Sequence, residues 1–105
     1  MAEHAEAIQC FSETLSIKPN EIDCLEKRGE LLARLGRFRE AEVDFGAVIA
    51  IDPNNVPALC NLSACAANAG DPEKALSYLK KARSLAPRDE VVGQNYEACS
   101  RMLDR

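Results

Sequence analysis

The side chains best suited to chemistry in this chain are its cysteines and its single histidine. The cysteines are Cys10, Cys24, Cys60, Cys65 and Cys99. Their number is odd, no two form a CxxC pair, and the one histidine, His4, stands near the N-terminus. This pattern argues against both a disulfide framework and a zinc site. We therefore predict free thiols in a reducing, intracellular compartment such as the cytoplasm, and no metal or other cofactor.

Other signatures of catalysis are missing from the sequence. The five glycines are scattered rather than gathered into a phosphate-binding loop, and no serine stands in a G-x-S-x-G context. The carboxylates are spread along the chain, whereas acid–base catalysis needs two of them in one pocket with contrasting surroundings. We therefore predict that the chain is not an enzyme.

Charge and hydropathy argue against two classes of partner. The formal net charge is −4, and no basic run is longer than Lys80–Lys81, whereas nucleic-acid binders usually present a basic face. No run of apolar residues approaches the roughly 18 that a membrane-spanning helix needs. We expect neither a nucleic acid nor a membrane as partner.

The sequence repeats itself about every 34 residues, the spacing from Pro19 to Pro53. We call this spacing the repeat period. Four columns keep this register: Pro19, Pro53 and Pro87; Ala7, Ala41 and Ala75; Phe11, Phe45 and Leu79; Ile17, Ile51 and Leu85. Within each copy a small and a large apolar residue share one helical face, and the proline ends the helix because it cannot continue the hydrogen-bond ladder. Cys65 and Cys99 have the same spacing, which predicts core positions, while Cys60 is predicted to be accessible on another face.

Another helix is predicted before each of the last two copies, over residues 21–36 and 55–70. Gly36 and Gly70 close these helices, because the residue after a helix often takes a left-handed conformation. Asp71 can cap the helix that follows, and Asn55 and Asp89 are predicted caps as well. A last helix, from about 90 to 104, has one apolar and one polar face, which suits a helix that covers the end of a stack.

A helix-turn-helix unit with a period of about 34 residues resembles the tetratricopeptide repeat (TPR) family. The residues that carry the resemblance are Leu25, Gly29, Leu32, Ala41, Phe45 and Pro53 in one unit, and Leu59, Ser63, Ala66, Ala75, Leu79, Ala82 and Pro87 in the next. The resemblance implies an all-α fold, a right-handed α-solenoid of antiparallel helix pairs. Residues 1–105 would then form a single domain, with a half repeat (1–21), two full repeats (22–55 and 56–89) and a capping helix (90–105).

One residue departs from this pattern inside a helix. Arg28 stands where Leu62 and Tyr96 stand in the later units. We expect its aliphatic stem to cover apolar surface while its charged head reaches water.

The first predicted helix has no preceding partner in this sequence. We therefore expect apolar surface around Ile8, Phe11 and Leu15 to be only partly covered. A piece cut from a longer repeat array would show such a surface. The same surface could also dock onto another copy of the chain or onto a different protein, so self-association is a second possibility.

The resemblance also implies where a partner would bind. In this family the first helix of each pair lines an inner groove that holds partner peptides. The residues expected to bind a peptide there are Lys27, Glu30, Asn61, Asn68 and Asn95. The predicted function is a protein–protein interaction scaffold that holds a partner peptide or helix. The alternative is a purely structural segment of a longer array, or a self-association module, with no groove ligand of its own.

Two patterns in the expected groove remain open to a second interpretation. Asn61 and Asn95 are one repeat period apart, and a column of amides can bind the backbone of an extended peptide; alternatively, asparagine is simply common at this place in such repeats. Asp23, Glu26 and Glu30 form an acidic strip that would favour basic ligands, or a solvated helix face that has no ligand.

One subfamily binds the acidic C-terminal tails of heat-shock chaperones through a clamp of lysine, asparagine and arginine side chains. Aligned from residue 22, the clamp positions hold Glu26, Glu30, Asn61, Val91 and Asn95, of which only Asn61 agrees. Aligned from the half repeat, the three remaining positions hold Lys27, Pro57 and Asn61, and none agrees. We therefore predict no tight binding of a chaperone tail.

Overall fold

The computed structural model describes residues 2–104, and this part of the chain is all-α. Its helices are α1 (Ala2–Ile17), α2 (Ile22–Arg34), α3 (Phe38–Ile51), α4 (Val56–Asn68), α5 (Pro72–Leu85) and α6 (Glu90–Leu103). Each helix packs antiparallel on the one before it, and α4 also touches α6. The resulting stack is elongated, with extents of 41 × 26 × 19 Å. The predicted fold class is confirmed.

The helix ends follow the local signals in the sequence. Gly36 and Gly70 have φ angles of 78° and 87°, the left-handed conformation that glycine adopts without steric cost. Asn55 accepts a hydrogen bond from the backbone N–H of Ala58 at 3.0 Å, and Asp89 accepts from two N–H groups at the start of α6. These bonds satisfy donors that a helix N-terminus leaves without an intrahelical partner.

The core is a row of apolar clusters between successive helices rather than one central cluster. Phe45 of α3 is 1% exposed and packs with Leu32, Ala41 and Leu62. Gly29 lies against its ring, since a Cβ built at position 29 would be 2.8 Å from Phe45 Cζ. A side chain at position 29 would therefore force the buried Phe45 ring to shift, which explains the small residue there.

The surface of α1 differs from the expectation at one position. Ile8 and Phe11 are partly exposed, as expected, but Leu15 is only 8% exposed and packs with Leu25, Val48 and Ala58. The prediction that Leu15 is part of an uncovered surface is wrong. The C-terminal half of α1 reaches far enough along α2 to bury this side chain.

Candidate functional site

Three clefts follow one another along the side of the stack that α2, α4 and α6 share; we call this surface the groove. The first, between α1 and α2, has a volume of about 270 Å³ and includes Lys27, Glu30 and Arg34 in its walls. The second, about 220 Å³, lies between α2 and α4 and shares Glu30 and Arg34 with the first. The third, about 410 Å³, lies between α4 and α6 and shares Asn61 with the second. The shared residues make the three clefts one continuous surface.

The five residues expected to bind a peptide divide into two sets. Lys27, Glu30 and Asn61 line the clefts, so the groove brings these three together. Asn68 is exposed, lines none of the three clefts, and donates a hydrogen bond to the carbonyl of Ala64 in its own helix at 2.8 Å. Asn95 is half-buried on α6 and lines none of them either.

The middle helix of the groove carries no charged side chain. The sequence of α4 is VPALCNLSACAAN, and Asn61 and Ala64 are its residues in the second cleft. The neighbouring stretch of α2 has mixed charge: Lys27, Glu30 and Arg34 line the first cleft, and Asp23 and Glu26 belong to the same helix. A ligand that crosses from α2 to α6 therefore meets mixed charge first and a neutral wall next.

A pair of positions at the junction between α2 and α4 recurs one repeat period later, at the junction between α4 and α6, with different side chains. At the α2–α4 junction, Asn55 donates a hydrogen bond to Glu26 Oε1 at 3.4 Å. One repeat period later the same two positions hold Asp89 and Cys60. Both of these residues line the third cleft. At the α4–α6 junction the shorter cysteine side chain stands where Glu26, at the α2–α4 junction, reaches across to Asn55.

An ion pair that is buried at its carboxylate end links α2 to α3 behind the groove. The Arg28 side chain is 24% exposed, and its head, which the sequence led us to expect in water, also binds side chains of α1 and α3. Its Nε and Nη2 donate to the two carboxylate oxygens of Asp44 at 2.8 and 2.6 Å, and Nη1 donates to Ser12 Oγ of α1. Hydrogen bonding to Asp44 raises the pKa of Arg28. The Asp44 side chain is only 3% exposed.

The repeat itself contains the signal for this pair. One repeat period later, Leu62 and Tyr78 occupy the positions of Arg28 and Asp44, and Tyr78 packs against the cluster that contains Leu62. Opposite charges at both members of an otherwise apolar pair indicate an ion pair rather than a solvent-facing arginine.

The cysteines differ in how far their side chains are buried. Cys65 and Cys99 are buried, as the repeat spacing predicts, and burial raises the pKa of each. Cys60 is half-buried in the third cleft, where burial and, less strongly, the Asp89 carboxylate raise its pKa. Cys10 is the exposed one.

Within residues 2–104, no group of three or more histidine, cysteine, aspartate or glutamate side chains is arranged to hold a metal ion. In the same part of the chain, every helix is too short or too polar to cross a membrane.

The sequence is similar to one known family and to known proteins. A family model described as the tetratricopeptide repeat matches residues 32–96. A UDP-N-acetylglucosamine–peptide N-acetylglucosaminyltransferase of Giardia intestinalis is 39% identical over 59 residues, which is 56% of this chain. The chain spans only 4% of that protein's length, so the activity in the name belongs to that protein alone.

The structure resembles solved domains over almost its whole length. The first TPR domain of Spaghetti (RPAP3), bound to the HSP90 peptide SRMEEVD, superposes with a TM-score of 0.90, at 20% identity, over 99% of this chain and 82% of that one. The TPR2B domain of yeast Sti1 in complex with an Hsp70 peptide gives 0.84, at 23% identity, over 96% and 86%. At these identities the likeness shows the fold alone.

Proposed function

Because the chain belongs to the tetratricopeptide repeat family, we propose that it is a protein–protein interaction module that holds an extended segment of a partner protein in the groove. The observation that supports this most directly is the continuity of the three clefts, which share Glu30, Arg34 and Asn61. Two of the structural neighbours are solved with a peptide bound. A continuous groove suits an extended chain better than it suits a compact ligand.

We place Asn61 at the centre of this site. It is the residue that the second and third clefts share, and it is half-buried on a helix with no charge. Its side-chain amide offers donors and an acceptor, which can pair with one peptide unit of an extended segment. Lys27 and Glu30 would contact side chains of the same segment, while Asn68 and Asn95 would bind only a segment that extends past the clefts.

A free C-terminal carboxylate is not the ligand that we propose. The neighbours with HSP90 and Hsp70 peptides share the fold with this chain at 20% and 23% identity. Here, in the alignment from residue 22, the first two of the five clamp positions hold Glu26 and Glu30, Asn61 alone agrees, and α4 carries no charged side chain. Carboxylates at these positions would repel an acidic tail rather than pair with it.

The test is a peptide array read with matched variants. Arrays of acidic-tailed, basic and neutral extended peptides are probed with the wild type, with Asn61→Ala and with Asn54→Ala. Asn54 is an exposed amide that lines none of the three clefts, so it controls for the loss of an amide. We expect a subset of peptides to bind, to be lost in Asn61→Ala and to be kept in Asn54→Ala. Binding that neither variant changes, or no binding at all by folded protein, contradicts the proposal.

The alternative, a structural or self-associating segment, predicts a different result. Its support is the partly exposed surface of Ile8 and Phe11 on α1. A molecular mass that rises with concentration, and that Ile8→Ser returns to the monomer value, would favour self-association over the groove, because Ile8 lines none of the three clefts.

A further inference from the structure

The third cleft, between α4 and α6, carries a more specific inference, which rests on the proposed function. We propose that it binds an aliphatic side chain of the partner segment, and that the residue next to it in the partner is basic. The partner class is therefore an internal aliphatic–basic segment rather than an acidic tail.

The walls of the cleft favour an apolar side chain. Val56, Pro57, Ala86 and Val91 line it, and Val91 is 59% exposed in the absence of a partner. A branched aliphatic side chain placed there removes its own surface and that of Val91 from water. Full burial of such a side chain favours binding, because apolar surface removed from water is the main source of affinity in a cleft of this kind.

The charge at the cleft favours a basic neighbour. Among the residues within 2–104 that line it, Asp89 is the charged one, and both hydrogen bonds that cap α6 are accepted by its Oδ1. The Oδ2 atom is therefore available to a donor from the partner. The N-terminus of α6 offsets only about half a unit of the carboxylate charge, so the mouth of the cleft stays acidic. Arg88 is exposed beside it but does not line the cleft.

The repeat shows how the chemistry of this cleft differs from that of the preceding junction. At the α2–α4 junction the equivalent positions are Glu26 and Asn55, joined by a hydrogen bond of 3.4 Å from Asn55 Nδ2 to Glu26 Oε1. At the α4–α6 junction those positions are Cys60 and Asp89. The double variant Cys60→Glu/Asp89→Asn copies the hydrogen-bonded Glu–Asn pair of the α2–α4 junction to the α4–α6 junction, with residues that the same fold already accepts one repeat period earlier. We expect the longer side chain at position 60 to fill the cleft.

Cys60 supplies a native reporter of occupancy, because its thiol lines the cleft. In a Cys10→Ser/Cys24→Ser background three cysteines remain, of which Cys65 and Cys99 are buried, so a thiol reagent added to folded protein labels mainly Cys60. Protection of Cys60 by a peptide then shows that the peptide occupies this cleft and not another part of the groove.

The experiment compares four octapeptides with a common neutral scaffold that differ at two adjacent positions: Leu-Lys, Leu-Glu, Ser-Lys and Ser-Glu. Affinity is measured by calorimetry and occupancy by Cys60 labelling. We expect Leu-Lys to bind about tenfold or more tighter than Ser-Lys, given the apolar burial, and a few-fold tighter than Leu-Glu, as an exposed charge pair allows. Only the two leucine peptides should protect Cys60.

Three variants test the assignment. Asp89→Asn keeps a good helix cap but removes the charge, so it should erase the preference for Leu-Lys over Leu-Glu. Glu90→Gln removes the same charge one residue away, outside the cleft lining, and should keep that preference. Cys60→Glu/Asp89→Asn should erase the preference for leucine over serine while the protein stays folded.

The outcomes separate this inference from the proposed function. Peptides that bind in an Asn61-dependent manner without preferring Leu-Lys, or without protecting Cys60, overturn the inference and leave the groove function standing. If no peptide of any class binds to the folded chain, both are overturned.

Discussion

At the scale of single residues, the ion pair between Arg28 and Asp44 is the least expected feature of the core. Asp44 is 2% exposed, while the Arg28 side chain keeps 24% of its surface in water. Removal of the arginine therefore leaves a buried carboxylate that cannot rehydrate, whereas an unpaired Arg28 can turn toward solvent. We expect Arg28→Leu to lower the free energy of unfolding by about 3 kcal/mol, and Asp44→Asn by about 1–2 kcal/mol.

The repeat offers the matched control for this prediction. The double variant Arg28→Leu/Asp44→Tyr imports the apolar pair found at positions 62 and 78. We expect it to unfold at a urea concentration close to that of the wild type, because a packed apolar pair can replace a buried ion pair at little cost. Equal losses in the double variant and in Arg28→Leu would show that the two side chains do not act as a pair.

The buried thiols give a pH dependence with a defined sign. Burial raises the pKa of Cys65 and of Cys99 in the folded chain, whereas an unfolded thiol ionises at about pH 8.5. Their contribution to stability is complete below the unfolded pKa and is lost as pH rises through the folded one. We expect the free energy of unfolding, measured in urea at several pH values above this unfolded pKa, to fall less steeply with rising pH in Cys65→Ala/Cys99→Ala than in the wild type. Identical slopes would contradict this.

At the scale of helices, the start of α2 is less well capped than its two equivalents. Glu21, Asn55 and Asp89 are spaced by one repeat period, and their φ and ψ angles are similar, yet Glu21 makes no side-chain cap. Glutamate is one methylene too long for this geometry. We expect Glu21→Asn to raise the free energy of unfolding by about 0.5–1 kcal/mol. Glu21→Gln, which removes the charge but keeps the length, should show no such gain in the same thermal or urea denaturation.

The helices also show what the sequence could and could not predict. Helix ends depend on residues a few positions apart, so Gly36, Gly70 and Asp89 could be assigned from sequence alone. The partner of Arg28 and the burial of Leu15 depend on side chains that other helices bring into contact. In the groove, the sequence predicts Lys27, Glu30 and Asn61 on one surface, whereas the third cleft, lined by Cys60 and Asp89, depends on how α4 and α6 pack together.

At the scale of the whole molecule, the stack is close to one-dimensional. Helices pack mainly on their neighbours in sequence, and the molecule is 41 Å long but 19 Å thick. In such stacks each unit is stabilised chiefly by the units beside it. We expect amide hydrogen exchange to be slowest in α3 and α4 and fastest in α1 and α6, with α2 and α5 between them. Uniform protection across the six helices in exchange mass spectrometry would show a single cooperative unit instead.

The difference between the Arg28–Asp44 pair and its apolar equivalent at positions 62 and 78 has a consequence for assembly. A chain built from similar units can exchange them between molecules, so that a unit of one copy takes the equivalent place in another. Here Arg28 and Asp44 match each other, whereas Asp44 placed against Leu62 would be a buried charge without a counterion. The ion pair thus makes α2 pack on α3 rather than on α5 of another copy. We expect Arg28→Leu/Asp44→Tyr to form more intertwined dimer than the wild type when it refolds at high concentration, as measured by size-exclusion chromatography with light scattering.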